Sequence, residues 1–171
     1  GSGFVFLAFI LGAYFANWYL LLGIVGLAIN WLGDSLDGRL AYYRNIPRRW
    51  YGFALDIIAD WIGIVLIGFG YYIYAENGTQ IVAFAFVALY GWSIIISQLR
   101  YKITNEYSID SGYVGPTELR FIIAFILILE VLFPGSITYS AGLITVLLVI
   151  INIVDSIKLL KLGDLRDKNH N

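Results

Sequence analysis

Six apolar stretches, at roughly 4–16, 18–43, 51–75, 81–101, 117–133 and 138–160, occupy most of this 171-residue chain. A helix needs about 20 mainly apolar residues to cross the hydrocarbon layer, and lipid offers no partner to an unpaired backbone group. The pattern predicts an all-α polytopic integral membrane protein, a single domain over 1–171 with six transmembrane helices. The stretch 4–16 is short for a span, so a truncated first helix is expected, with Gly1-Ser2-Gly3 read as an appended or truncated edge. Between stretches lie turn-forming residues: Asn17, Asn45-Ile46-Pro47, Glu76-Asn77-Gly78, Gly115-Pro116 and Pro134-Gly135-Ser136. The last eight residues are expected as a solvated tail.

Composition agrees with this pattern. At 60% hydrophobic and 13% charged, the chain carries more apolar surface than a soluble domain of this length can bury. Its orientation follows from the basic residues. Arg39, Arg44, Arg48 and Arg49 flank one loop, Arg100, Lys102 and Arg120 flank another, and Lys158, Lys161, Arg166 and Lys168 lie at the tail. The alternate loops, at Asn17, Asn77–Gln80 and Pro134–Tyr139, hold no Lys or Arg. Basic loops stay in the cytoplasm, so both termini are expected there. A net charge of −1 gives no reason to expect nucleic acid, and zero cysteines exclude disulfides and thiolate metal sites.

Against this apolar background stand four aspartates: Asp34-x-x-Asp37-Gly38 on the second stretch, and Gly52-x-x-x-Asp56-x-x-x-Asp60 on the third. Ionisable groups within a span are expensive and commonly face a functional cavity. Residues three or four apart share a helical face, so Asp34, Asp37 and Ala41 form one stripe, and Gly52, Asp56 and Asp60 another. A short loop joins the two helices as antiparallel neighbours, so the stripes are expected to meet just below the cytoplasmic surface. Two like charges 4 Å apart repel by about 4 kcal/mol at an effective dielectric of 20. Four carboxylates therefore take up protons or bind cations. Two divalent ions balance them, and oxygen ligands favour Mg²⁺, Mn²⁺ or Ca²⁺. Paired metals of this kind act on phosphoryl groups. Gly38 and Gly52 leave room beside the acids, although close helix packing would also use small residues there.

Asp-x-x-Asp-Gly-x-x-Ala followed by Gly-x-x-x-Asp-x-x-x-Asp, over Asp34 to Asp60, resembles the signature of the CDP-alcohol phosphotransferases, integral membrane enzymes of phospholipid synthesis. The resemblance implies that Asp34, Asp37 and Asp56 ligate metal, Mg²⁺ or Mn²⁺. Asp60 would be the catalytic base that deprotonates the acceptor alcohol, touching the second metal as well. Gly38, Ala41 and Gly52 would border the cytidine nucleotide. The implied reaction moves a substituted phosphate from a CDP-linked donor, CDP-diacylglycerol first, to an alcohol and releases CMP. It further implies a homodimer among membrane lipids, in a prokaryotic cell membrane, with its site facing the cytoplasm. One position departs from the signature: Tyr42 stands where the family usually has Arg. Arg44, seven residues after Asp37 and back on its face, is expected to supply the missing charge to the diphosphate.

Arg100, Lys102 and Arg120 share the cytoplasmic layer of the aspartates and are candidates for an acceptor phosphate or a lipid headgroup, or for simple interfacial snorkelling. Glu130 is expected to be solvated or paired, and Asp155 to pair with Lys158 at i+3. Two rival readings use the same carboxylates: a divalent-cation transporter or channel, and a catalytically impaired homologue that still binds CDP-lipid, the latter motivated by Tyr42.

Overall fold

The computed structural model describes residues 1–43, 49–76, 78–104 and 116–170, with side chains described at these positions except 34, 37–43, 49, 116–118, 169 and 170. The described residues are almost wholly helical: α1 (Ser2–Tyr14), a 3₁₀ turn at Asn17–Leu20, α2 (Leu21–Tyr43), α3 (Arg49–Tyr74), α4 (Gln80–Thr104), α5 (Pro116–Leu132) and α6 (Ser136–His170). The turns fall at residues suited to them. Gly78 (φ +80°) lies between α3 and α4, and Gly135 (φ +92°) between α5 and α6; both occupy the left-handed region that side chains disfavour.

Trp50–Tyr74, Gln80–Thr104 and Ser136–Lys168 are long and apolar enough to cross a membrane, while Ser2–Tyr14 and Asn17–Gly33 are shorter apolar helices. Large apolar side chains such as Phe69, Phe84, Phe121, Phe125 and Leu143 face outward and are exposed. So much apolar surface on the outside suits lipid as the surrounding solvent. A helical membrane protein is the class this architecture defines.

Among the described residues each helix packs on two others, closing a ring in the order α1–α2–α5–α6–α4–α3 and back to α1. Val5, Phe9, Leu27, Ile64, Ile67, Ile123 and Leu127 fill its interior. Where α1 runs, it lies between α2 and α3 and keeps them from being direct neighbours there; beyond its start, the α2 side chains at 34 and 37–43 lie outside the described residues. Glycines on both flanks explain the insertion. A Cβ at Gly26 of α2 would lie 2.7 Å from the Gly1 carbonyl, and one at Gly63 of α3 would lie 2.7 Å from the Ser2 hydroxyl. Close approach over small residues is how apolar helices gain dispersion contact where hydrophobic burial no longer drives association. Gly1 and Ser2 therefore pack against α2 and α3, while Gly3 is exposed. The Gly1 carbonyl accepts the Phe4 N–H at 2.9 Å, and α1 starts at Ser2.

Polar groups tie the ring together at three levels. At one end the buried Glu130 carboxylate accepts the Tyr74 hydroxyl (2.8 Å) and the N–H groups of Gly135 (2.9 Å) and Ile137 (2.7 Å). It thereby caps the first turn of α6, where unpaired N–H groups and the helix dipole favour an anion. Midway, buried Asn152 accepts the Ser93 hydroxyl at 2.7 Å and donates to the Leu89 carbonyl at 2.7 Å. One turn further along α6, Asp155 lies 3.7 Å from both Arg100 and Lys158. The i+3 pair is as expected, and Arg100 adds a second partner from α4. The last described residues are helical, α6 continuing through His170, and Asp164, Leu165, Asp167 and Lys168 are exposed, as expected of a solvated end. Arg166 there donates to the carbonyls of Lys102 (2.7 Å) and Ile103, the last turn of α4.

Candidate functional site

On α3, Asp56 is exposed and Asp60 is half-buried one turn deeper. Asp60 lines a small open cavity among the helices of the ring. Five helices contribute polar residues to its wall: Ser2 from α1, Asn30 from α2, Asp60 from α3, Tyr90 from α4 and Arg120 from α5. Leu27, Ile64, Ile67 and Ile123 form its apolar part. An acid and a base from different helices thus share a concave space closed on one side by hydrocarbon. Low dielectric there strengthens any charge interaction with a ligand.

Asn30 and Asp60 enter this cavity from α2 and α3, so the two acidic helices converge across it although α1 separates them elsewhere. Asp34 and Asp37 follow Asn30 on α2 by four and seven residues. Their side chains, with those of Gly38 and Ala41, lie outside the described residues, as does the whole of Arg44. Among the described residues no group of three or more Asp, Glu or His converges as a metal-holding cluster. Only two of the four signature aspartates have described side chains.

Gly52 can be small for either of two reasons, close packing or clearance, and its described neighbours bear on the first. A Cβ placed there meets no described atom within 4 Å. One at Gly63, eleven residues further along the same helix, would crowd the Ser2 hydroxyl at 2.7 Å. One at Gly91 of α4 would lie 2.7 Å from the Trp61 ring. Gly63 and Gly91 therefore serve close packing. The space beside Gly52 is open among the described residues, as clearance for a ligand requires.

The three cationic candidates part company. Arg120 lines the cavity with Asp60. Arg100 is engaged by Asp155 across the α4–α6 contact. Lys102 is exposed near the end of α4. Sequence reasoning misses Asn30 and Tyr90. Asn30 has a readable signal, a polar residue four positions before Asp34 on an apolar helix; Tyr90 has none, being one of 13 tyrosines.

A ring of apolar helices around a cavity holding fixed charges is a membrane protein shaped for a polar ligand. The family model for CDP-alcohol phosphatidyltransferase matches residues 2–154, and the chain belongs to that family. It is accordingly a transferase of phosphate-linked groups from CDP-alcohols, in phospholipid synthesis. Comparison with proteins of curated function and with solved structures returns no match.

Proposed function

We propose that the protein moves a substituted phosphate from CDP-diacylglycerol to an alcohol, with release of CMP. The observation that carries this reading is the half-buried Asp60 sharing a cavity with Arg120, inside a chain of this family. Asp34, Asp37, Asp56 and Asp60 would hold two divalent cations, Mg²⁺ or Mn²⁺. The residues fit such ions: the donors are hard oxygens, Asp56 and Asp60 stand one turn apart on α3, and space is open beside Gly52. Bound there, the ions would supply positive charge that neutralises the donor's diphosphate.

Asp60 takes the proton from the acceptor hydroxyl as its oxygen attacks the phosphorus of the donor. The new P–O bond forms as the bond to the CMP oxygen breaks, and CMP leaves with that electron pair. Asp60 suits this step because the cavity wall limits its hydration while its neighbour Arg120 offers opposite charge. Arg120 also binds a phosphate on an anionic acceptor, and Asn30 and Tyr90 orient the polar groups nearby. Gly38, Ala41 and Gly52 border the nucleotide, and Arg44 contacts its diphosphate in place of the arginine that Tyr42 replaces.

We place all six helices in the bilayer, both termini and the cavity toward the cytoplasm, in a homodimer. Supporting this orientation, every Lys and Arg lies in the loops or helix ends on one side. The test is incubation of purified protein with labelled CDP-diacylglycerol and a panel of alcohols, with and without Mn²⁺ or Mg²⁺. CMP and a new lipid, formed only with metal, are the expected products. Cation flux into liposomes with no CMP formed would overturn the transferase reading in favour of ion transport.

A further inference from the structure

Asp60 lies on α3 between two flanks, each held by close contacts. A helix turns by about 100° per residue, so Trp61 lies about 100° to one side of Asp60 and Gly63, three residues on, about 60° to the other. Trp61 and Gly68 share the flank that meets α4, and Gly63 and Gly70 share the flank that meets α1. On the α4 side the contact is reciprocal. A Cβ at Gly91 of α4 would lie 2.7 Å from the Trp61 ring, and one at Gly68 of α3 would collide with the Val87 side chain. On the α1 side a Cβ at Gly63 would lie 2.7 Å from the Ser2 hydroxyl, and one at Gly70 would lie 2.9 Å from the Phe9 ring. Between the flanks, Asp60, Ile64 and Ile67 line the charged cavity. Turning α3 about its axis would swing Asp60 along that wall, and the seats on both sides oppose it. The Trp61–Gly91 seat is the nearest to the acid in sequence, and Gly91 directly follows Tyr90, which lines the same cavity. Trp61 is itself exposed, so filling the core does not account for its place on Gly91.

We infer that Trp61, seated on Gly91, is a positioning residue for the transfer: it fixes the rotation of α3 and thereby the direction of the Asp60 carboxylate. This rests on Asp60 being the proton acceptor proposed above. Trp61 is not among the residues lining the cavity and acts through its neighbour. Misplacing a reacting group by about 1 Å costs on the order of 10²-fold in rate, so a rotation too small to unfold the ring still registers in turnover.

The experiment measures CMP release by Gly91→Ala, Trp61→Phe and the double variant. A methyl at position 91 presses on the six-membered ring of the Trp61 indole, and Phe at position 61 lacks the atoms it meets. Gly91→Ala is expected to lower kcat by about tenfold or more. KM for donor and acceptor should stay within about threefold of wild type, since the loss falls on the transition state. Adding Trp61→Phe is expected to restore most of the lost kcat, which general destabilisation does not predict. Wild-type kcat in Gly91→Ala, a rise in KM in place of the fall in kcat, or a loss that Trp61→Phe leaves in place would each overturn the inference. If Gly91→Ala does not fold, Trp61→Leu decides: a lowered kcat at unchanged KM supports the seat, and any other result overturns it. If wild type releases no CMP, the transferase reading fails instead. Modification of Asp60 by dicyclohexylcarbodiimide, read by mass spectrometry, then tests the seat alone. A rate altered in Gly91→Ala and returned in the double variant supports it; equal rates in all three proteins overturn it.

Discussion

Asp60 of α3 and Arg120 of α5 line one cavity, although separate helices carry them. Such a pair offers an acceptor for a proton beside a cation for a phosphate. Replacing Asp60 by Asn preserves shape and removes the proton acceptor. CMP release should fall by about 10²–10⁴-fold, the usual contribution of a general base, while binding of a CDP-linked ligand persists. Turnover within a few-fold of wild type in D60N would remove Asp60 from the role.

Arg120→Ala should raise KM for a phosphate-bearing acceptor by about tenfold or more, since a charge-assisted hydrogen bond is lost. For an uncharged acceptor the change should be small. Steady-state kinetics with both acceptor types separate these outcomes, and equal effects would assign Arg120 to the donor or to folding.

Chelation should abolish CMP release, and Mn²⁺ or Mg²⁺ should restore it. Asp56→Asn should raise the metal concentration needed for half-maximal rate. A metal titration that superimposes on wild type would exclude Asp56 from the ligand set.

The Glu130 carboxylate holds donors from α3 and from the start of α6. Glu130→Gln turns an acceptor oxygen into an amide that faces N–H groups, and should destabilise the fold by about 2 kcal/mol. Tyr74→Phe should have a smaller effect, about 1 kcal/mol. Thermal unfolding in detergent reads both, and an unchanged Tm in E130Q would contradict the capping role.

Arg100→Leu leaves buried Asp155 with Lys158 as its remaining ion-pair partner among the described residues, and should cost up to about 3 kcal/mol. The double variant Arg100→Leu, Asp155→Leu should recover much of that loss with acceptor KM unchanged. A raised KM in the stable double variant would return Arg100 to the substrate site.

Helix boundaries were legible because apolar runs and turn residues are local properties: the stretch 51–75 became Arg49–Tyr74, and 138–160 lies within Ser136–His170. The Asp155–Lys158 contact was legible for the same reason, both residues sharing one helix. Arg100 joining Asp155 was not, since it depends on α4 lying beside α6. The placement of α1 between α2 and α3 was hidden too. It rests on which faces of those helices carry Gly26 and Gly63, and spacing alone does not choose their partner. Within the site, Asp60 stood out as an acid in an apolar run, while Tyr90 looked like any other aromatic in a span.

The glycines flanking α1 have a consequence for cavity width. With only a hydrogen at Gly26, α2 rests almost on the backbone of α1, and at Gly63 α3 rests on the Ser2 side chain, so α1 sits as a shim of fixed thickness. A methyl at Gly26 would push the shim outward and widen the gap between the two acidic helices. Evolution or engineering could thus retune the spacing of the carboxylates without touching a single one.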